Sequence, residues 1–386
     1  MKGIDLFSYT SLAKDELFIG REDLLKHLNS NIELMQNTTL YGQRRVGKSS
    51  LVFEVIRRFK KSKDKHLFIN LDLTVCNNSG KFIALLSQAI ENLISSHKPL
   101  SSQFQKIYNF ISGIRPVVTI DPINGEPQYS IGFDGDNRTK SLEEIFRLLE
   151  SISNKFKLTI VLDEFQSILD WDDSNSVQWQ IRSHMQRNKA IHYIFTGSSQ
   201  SLINKLFYEN KGAFYRSTDI IFVNNSIDPI IFSKWIKQRF QKADYQIDNE
   251  TIKTILDITN MHPYYTQKLL YHLWREAREV NNRKINLESL QTTLKAIITM
   301  ETNIYQERLS HLAKNSRQVL LAISQIDPEE KIYSKTIIKK YQLKNPSTVQ
   351  KAIEELKSEA TPLIFEENNQ YRFEDPFFKL WLQTIP

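Results

Sequence analysis

Gly42, Gly47, Lys48 and Ser49 stand in the order G-x-x-x-x-G-K-[ST] within "TTLYGQRRVGKSSLVFEVIRRF", residues 38–59. That spacing builds a cradle for phosphate. The backbone N–H groups of a glycine-punctuated loop converge on an anion at the first turn of a helix, where the dipole adds positive potential. Glycines let the main chain approach a polyphosphate with no Cβ in the way. The expected binding set is Gly42, Arg45, Val46, Gly47, Lys48, Ser49 and Ser50, with Lys48 reaching the β- and γ-phosphates and the Ser49 hydroxyl ligating Mg²⁺. "LTIVLDEFQ" supplies the other half of the chemistry by ending an apolar run in Asp163 and Glu164. Asp163 is expected in the Mg²⁺ shell, and Glu164 to orient or deprotonate an attacking water. In "FTGSS", Thr196, Ser198 and Ser199 are within reach of the same reaction, touching the γ-phosphate or the water. Ser198 has a second reading as the cap of the helix that follows.

These residues need a frame that brings strand ends together. "NTTLYG", "HLFINLDLTV", "LTIVLDEF", "IHYIFTGSS" and "TDIIFVNNS" have the apolar density of buried strands, and helical periods separate them. Strands alternating with helices indicate an α/β fold with a mostly parallel sheet, which binds ligands beyond the carboxyl ends of its strands. Residues 100–138 break this rhythm: "RPVVTIDPINGEPQYSIGF" reads as a β-hairpin insertion turning at Asn124-Gly125. Ser141 and Glu144 form a capping-box pattern ahead of the next helix. The expected organisation is a nucleotide domain over 1–228, an all-α lid over 229–312 and a third domain over 313–386. In that last part, three helical stretches precede "PLIFEENN" and "QYRFED", the order of a winged helix-turn-helix.

Composition narrows the setting. With 386 residues, 40% hydrophobic and 25% charged, the chain reads as an ordinary globular protein of two or three domains. Its opening residues lack the apolar region of a signal peptide, and no run is long enough to span a bilayer, so the expected setting is the cytoplasm with no membrane partner. Cys76 is the only cysteine, which excludes an internal disulfide and fits a reducing compartment and a small buried hydrophobe. The formal charge of +7 lies wholly upstream of Asn315; beyond it, ten Lys/Arg face ten Asp/Glu. Part of the excess is "RRFKKSKDK", where cations complement the C-terminus of the helix that Lys48 begins.

Taken together, "FIGRE", "GQRRVGKSSL", "IVLDEFQ", "FTGSSQSLI", "AFYRS" and "HPYYTQ" resemble the archaeal-type ATPases of the STAND branch of AAA+ proteins, a group also widespread in bacteria. The resemblance covers roughly residues 18–274, and more loosely the winged helix behind them. It implies a P-loop NTPase with ATP and Mg²⁺ as cofactors, acting as a nucleotide-gated switch. It also implies that Gly20, Arg21 and Glu22 lie near the adenine and ribose, that His262 and Pro263 close over the nucleotide from the helical lid, and that Arg216 is an arginine finger or sensor. Pro263 is in any case suited to the first turn of a helix. One position departs from the family pattern: Met261 stands where the family usually has Gly before His-Pro.

Arg216 precedes what counts as the fifth strand, at the edge of a sheet of sequential βα units. Its expected target is therefore the ATP of a second subunit in a homo-oligomer, the alternative being a surface ion pair. For the C-terminal module, the helix "NPSTVQKAIEELKSE" carries Lys351 and Lys357 but also Glu354, Glu355 and Glu359. Since nucleic-acid affinity draws on neutralised phosphates, these acids favour a protein-facing module over a DNA reader. Two functions follow: an ATP-gated switch with a protein partner, or an ATP-dependent DNA-associated factor.

Overall fold

A computed structural model describes residues 6–62, 66–96, 114–120, 127–133, 142–225, 227–327, 330–357, 362–367 and 369–385. Ser141 and the Asn124-Gly125 turn lie outside the described residues. The chain divides into two compact units, one formed by Arg21–Asn224 and the other by Met1–Gly20 with Asn225–Pro386.

The first unit is built on five parallel strands. In chain order these are β1 (Thr38–Tyr41), β2 (His66–Asp72), then β5 (Lys157–Asp163), β6 (Ile191–Gly197) and β7 (Asp219–Phe222), with β3 (Ile114–Ile120) and β4 (Pro127–Phe133) between β2 and β5. Their spatial order is β2-β5-β6-β1-β7. Strand β6 is buried along its whole length and β5 over its five central residues. That is why both read as unbroken apolar runs: helices cover a parallel sheet on both faces. The apolar cluster on this sheet includes Ile160, Leu162, Phe165, Tyr193 and Phe195, with Leu149 and Ile181 from covering helices. The inserted hairpin is present, with β3 and β4 paired antiparallel from Ile114 opposite Phe133 to Ile120 opposite Pro127. Cys76 is buried, and desolvation pushes its thiol up to about 11.

The second unit differs from the sequence expectation in what it contains. The sequence expectation puts the residues ahead of Gly20 in the nucleotide domain, yet they pack with the helical C-terminal half. Leu6 and Phe7 are fully buried in its core. Arg239, on the helix Pro229–Lys242, donates from Nε and Nη2 to the Leu6 carbonyl at 2.9 and 2.8 Å and pairs with Glu16 at 2.6 Å. Trp235 Nε1 donates to the Glu16 carbonyl at 2.8 Å. Nothing in "LFSYTSLAKDEL" encodes which unit it joins; the partners lie more than two hundred residues away. The region 229–312 is helical as expected, apart from a two-residue parallel pairing of Gln246–Ile247 with Lys284–Ile285.

The winged-helix segment has the expected helices, Lys314–Gln325, Lys335–Lys340 and Pro346–Leu356, then an antiparallel hairpin with Ile364 opposite Phe373, then the helix Pro376–Leu382. It shares one hydrophobic core with the lid helices. Tyr305, fully buried on the long helix Leu287–Ser310, lies 5.1 Å from Phe378 and 5.7 Å from Trp381 and donates to Asp375 at 3.3 Å. Tyr265 of the lid helix Pro263–Glu279 meets Phe377 edge-on at 5.9 Å. Lid and winged-helix segments thus fall in one compact unit.

Candidate functional site

In the sheet, β5, β6 and β1 are consecutive neighbours, so the turns at their carboxyl ends come together. β1 delivers the loop that begins at Gly42, and Lys48 is already the first residue of α2 (Lys48–Ser62). Each loop glycine has its own reason. A Cβ on Gly42 would stand 2.4 Å from the Val223 carbonyl oxygen, and Gly47 takes φ +93°, which side chains resist. Arg45 is also left-handed, at φ 64°. Val46 is fully buried and anchors the loop from below, and Ser50 is buried in the first turn of α2.

Lys48 is buried, and its ammonium donates to the carbonyls of Gly42 at 2.9 Å and Gln43 at 3.0 Å. The loop therefore folds around its own cation. Ser49 Oγ donates to Asp163 Oδ2 at 2.8 Å, bridging the loop to β5. Thr196 Oγ1 donates to the other Asp163 oxygen and accepts from the Glu164 backbone N–H at 3.3 Å. Thr196 thus orients both acids from the adjacent strand. Glu164 sits at φ 52°, in the left-handed region, as the chain turns off the end of β5. Its carboxylate accepts from Ser198 Oγ at 2.7 Å, from the Ser198 N–H at 3.2 Å and from Gln166 Nε2.

The two serines of "FTGSS" divide the roles that sequence left open. Ser198 holds Glu164; Ser199 is the N-cap of the helix Gln200–Phe207, accepting from the Leu202 N–H. Gln166 stands inside the DEFQ motif, where its residue type alone signals no role. Its amide binds Glu164, while its Oε1 is buried with no donor among the described residues.

Arg21 caps α1 (Glu22–Leu34) with φ 66° and lies alongside the phosphate loop, its Nη1 being 3.7 Å from where a Gly47 Cβ would stand. Nη2 donates to the Asn224 carbonyl at 3.0 Å, Nε is buried without an acceptor among the described residues, and desolvation brings the guanidinium down to about 10. A desolvated cation that pairs with no carboxylate among the described residues favours an incoming anion. Glu22 turns the other way, accepting from Arg58 of α2 at 2.9 and 3.1 Å. Arg58 also joins Arg57 in binding Glu54, which is 1% exposed. The expected solvated basic end of α2 is therefore in part an ion network that clamps α1 to α2.

Gly20, His262 and Pro263 belong to the second compact unit. There, Pro263 opens its helix as expected and His262 is the N-cap, its Nδ1 accepting from the Tyr264 N–H at 3.3 Å. Met261 takes φ 55° just before them. The family's glycine suits such a backbone; methionine adopts it at a cost of about 1–2 kcal/mol. Arg216 precedes β7, whose first residue Asp219 pairs with Thr38 at the start of β1. It is consequently at the opposite end of that strand pair from Gly42. Its side chain is exposed, lies 5.2 Å from the Tyr215 ring and has no ion-pair partner among the described residues.

The site's architecture is matched by comparison. Residues 18–269 match the ATPase domain found predominantly in Archaea. The chain belongs to this family of archaeal-type ATPases. Residues 303–384 match a probable winged helix domain. Solved structures agree on the fold of this AAA+ P-loop ATPase. The Walker-type ATPase of Pyrococcus abyssi is similar at 18% identity with a TM-score of 0.66, over 98% of this chain and 99% of that one. The ORC2 protein of Aeropyrum pernix, in ADPNP–ADP complexes, is similar at 11% identity and TM-score 0.59, over 99% and 97%. The Aeropyrum pernix ORC1 protein in complex with DNA follows at 14% and 0.50, over 96% and 93%. No curated protein sequence matches the chain. Family and fold support nucleotide binding and ATP hydrolase activity in this archaeal-type ATPase. Among the described residues no helix is long and apolar enough to cross a membrane.

The residues present fit ATP with Mg²⁺. A buried ammonium lies inside a glycine loop, and a hydroxyl with a carboxylate oxygen provides the hard donors that Mg²⁺ takes alongside phosphate. Lys48→Ala removes the loop's buried charge and is expected to weaken ATP binding tenfold or more, about 1.4 kcal/mol per decade. Calorimetric titration with ATP measures it; unchanged affinity would move the phosphate site elsewhere.

Proposed function

We propose that this ATPase is a slowly hydrolysing switch of the STAND type, in which the nucleotide state governs self-association and the C-terminal unit engages a partner. The observation that carries this reading is the hold on Glu164. Two donors from Ser198 and one from Gln166 converge on one oxygen, Oε2, of the carboxylate that must meet the water. A base anchored in this way meets the water through its other oxygen or gives up its hold, which supports slow turnover, and a long-lived ATP state is what a switch requires.

The roles follow from the contacts. Lys48, the loop N–H groups and Arg21 would hold the phosphates; Ser49 and Asp163 would hold Mg²⁺, which when bound neutralises charge on the transferring phosphoryl. Glu164 would take the proton of the water, Thr196 keeping it in line and Ser198 positioning it. Gly20, His262 and Pro263 would contact the base and ribose. Arg216, exposed and at the far end of its own strand pair, would serve a neighbouring protomer in a homo-oligomer.

Light scattering on the purified chain tests the switch. Mass is expected to rise at least twofold with ATP and to fall back with ADP. A mass independent of nucleotide would leave an ATPase without the switch.

A further inference from the structure

The charge balance of the C-terminal module conceals a segregation. Between residues 331 and 353 there are six lysines and no carboxylate: Lys331, Lys335, Lys339, Lys340, Lys344 and Lys351. All six are exposed. None has an ion-pair partner among the described residues, although Lys340 lies 5.1 Å from the Tyr341 ring. They follow the short helix Lys335–Lys340, the turn after it and the first turns of the helix Pro346–Leu356.

The module's acids are disposed differently. Glu355 accepts from Ser316 of the neighbouring helix, Glu366 pairs with Lys357 at 2.9 Å, and Glu367 pairs with Arg372 at 2.9 Å. Asp375 is buried, capping the last helix through the Phe377 and Phe378 N–H groups. Glu354 alone of the described acids shares the outward side of Pro346–Leu356 with Lys351, because Val349, Ala352, Ile353 and Leu356 occupy the inward stripe. Of the acids that argued against a polyanion in the sequence, Glu355 is spent on an internal bond, Glu354 faces outward beside Lys351, and Glu359 lies outside the described residues.

We propose that this lysine face binds the phosphate backbone of duplex DNA without reading its sequence. Two helices joined by a short turn are the geometry in which the first crosses the backbone and the second presents its N-terminal residues to the groove. Here the cations run from Lys331 ahead of the first helix, along that helix and the turn, to Lys351 midway along the second. Exposed Asn345, Ser347 and Gln350 are interleaved with them and add hydrogen bonds to phosphate or sugar oxygens. The same stretch lacks the apolar side chains with which a helix enters a membrane interface; Tyr333 is its only large exposed hydrophobe. The inference stands apart from the nucleotide site, so it can fail while the ATPase reading survives.

The test uses the full-length chain and fluorescence anisotropy of a labelled 30-base-pair duplex of arbitrary sequence across a salt series. The wild type is expected to bind with an affinity that falls steeply with salt and does not change when the sequence is scrambled. Replacing Lys335, Lys339, Lys344 and Lys351 with Ala is expected to weaken binding more than tenfold at low salt. It should also lower the log–log salt slope by about 3 to 4, at about 0.9 per lost phosphate contact. Circular dichroism and thermal melting matched to the wild type verify that this variant is folded in the unit that carries the four lysines. Glu354→Gln, which removes the facing carboxylate, is expected to tighten DNA binding. An unchanged slope in the lysine variant would overturn the assignment. So would wild-type binding to poly-glutamate, or to vesicles with 30% phosphatidylserine, as tight as to the duplex at equal charge concentration.

Discussion

Glu164→Gln is expected to bind ATP as the wild type does and to lose hydrolysis by about 10²–10⁴-fold, the usual contribution of a positioned general base. The amide keeps the size of the side chain, and its oxygen can still accept from the Ser198 hydroxyl and N–H that now hold the carboxylate. What disappears is the capacity to take a proton. Lys48 remains bonded to the Gly42 and Gln43 carbonyls and Ser49 to Asp163, so the residues proposed to hold phosphate and metal keep their places. Single-turnover hydrolysis alongside calorimetric ATP titration separates the two quantities. Hydrolysis at the wild-type rate would remove Glu164 from the water-activating role. Loss of ATP binding would show instead that the Glu164–Ser198 contact is what keeps the loop in shape.

Arg216→Ala is expected to cut assembly-dependent hydrolysis by about 10³–10⁵-fold, the range an arginine finger supplies. The planar guanidinium stays charged and can engage two phosphate oxygens at once, which a lysine in its place would not do. The alternative of a surface ion pair has lost ground, because no carboxylate among the described residues pairs with Arg216. Its position at the start of β7, opposite the loop end of β1, argues that any phosphate it serves belongs to another copy. Mixing Arg216→Ala with Glu164→Gln decides the matter. Each variant is expected to be nearly inactive alone, and co-assembly should restore activity at those interfaces where one chain lends the finger and the other the base. No recovery in assemblies shown to contain both chains would refute action in trans.

The sequence carried the sheet and the ligand-binding loops clearly, for identifiable reasons. Strands buried on both faces leave unbroken apolar runs, and a phosphate loop fixes residue types at fixed spacing. The five strands, the inserted hairpin and the winged helix were all legible on those grounds. Less legible was anything decided by contacts between distant segments. The choice between Ser198 and Ser199 as helix cap turns on a one-residue phase that composition does not reveal. Gln166 lay inside a quoted motif, yet its bond to Glu164 depends on how tightly the chain turns after β5, where Glu164 takes a left-handed backbone. The ion network from Glu22 through Arg58 to Glu54 joins two helices, and the run of basic residues hinted only at a helix end. The placement of Leu6 and Phe7 was unreadable, since an apolar pair looks the same whichever core receives it. The acids of the module were counted correctly, but a count does not distinguish a carboxylate bonded internally from one facing outward.

The shared core of the lid helices and the winged helix has a mechanical meaning. Tyr305, Tyr265 and Phe377 join the two segments by packing rather than by a pliant linker. Segments that share one interior cannot be parted cleanly. Cutting the chain near residue 313 would not yield two working halves: it would bare Tyr305 and the apolar wall around it. Removing the C-terminal module is therefore expected to loosen the lid helices as well, so its loss would be felt by a segment that keeps every one of its own residues.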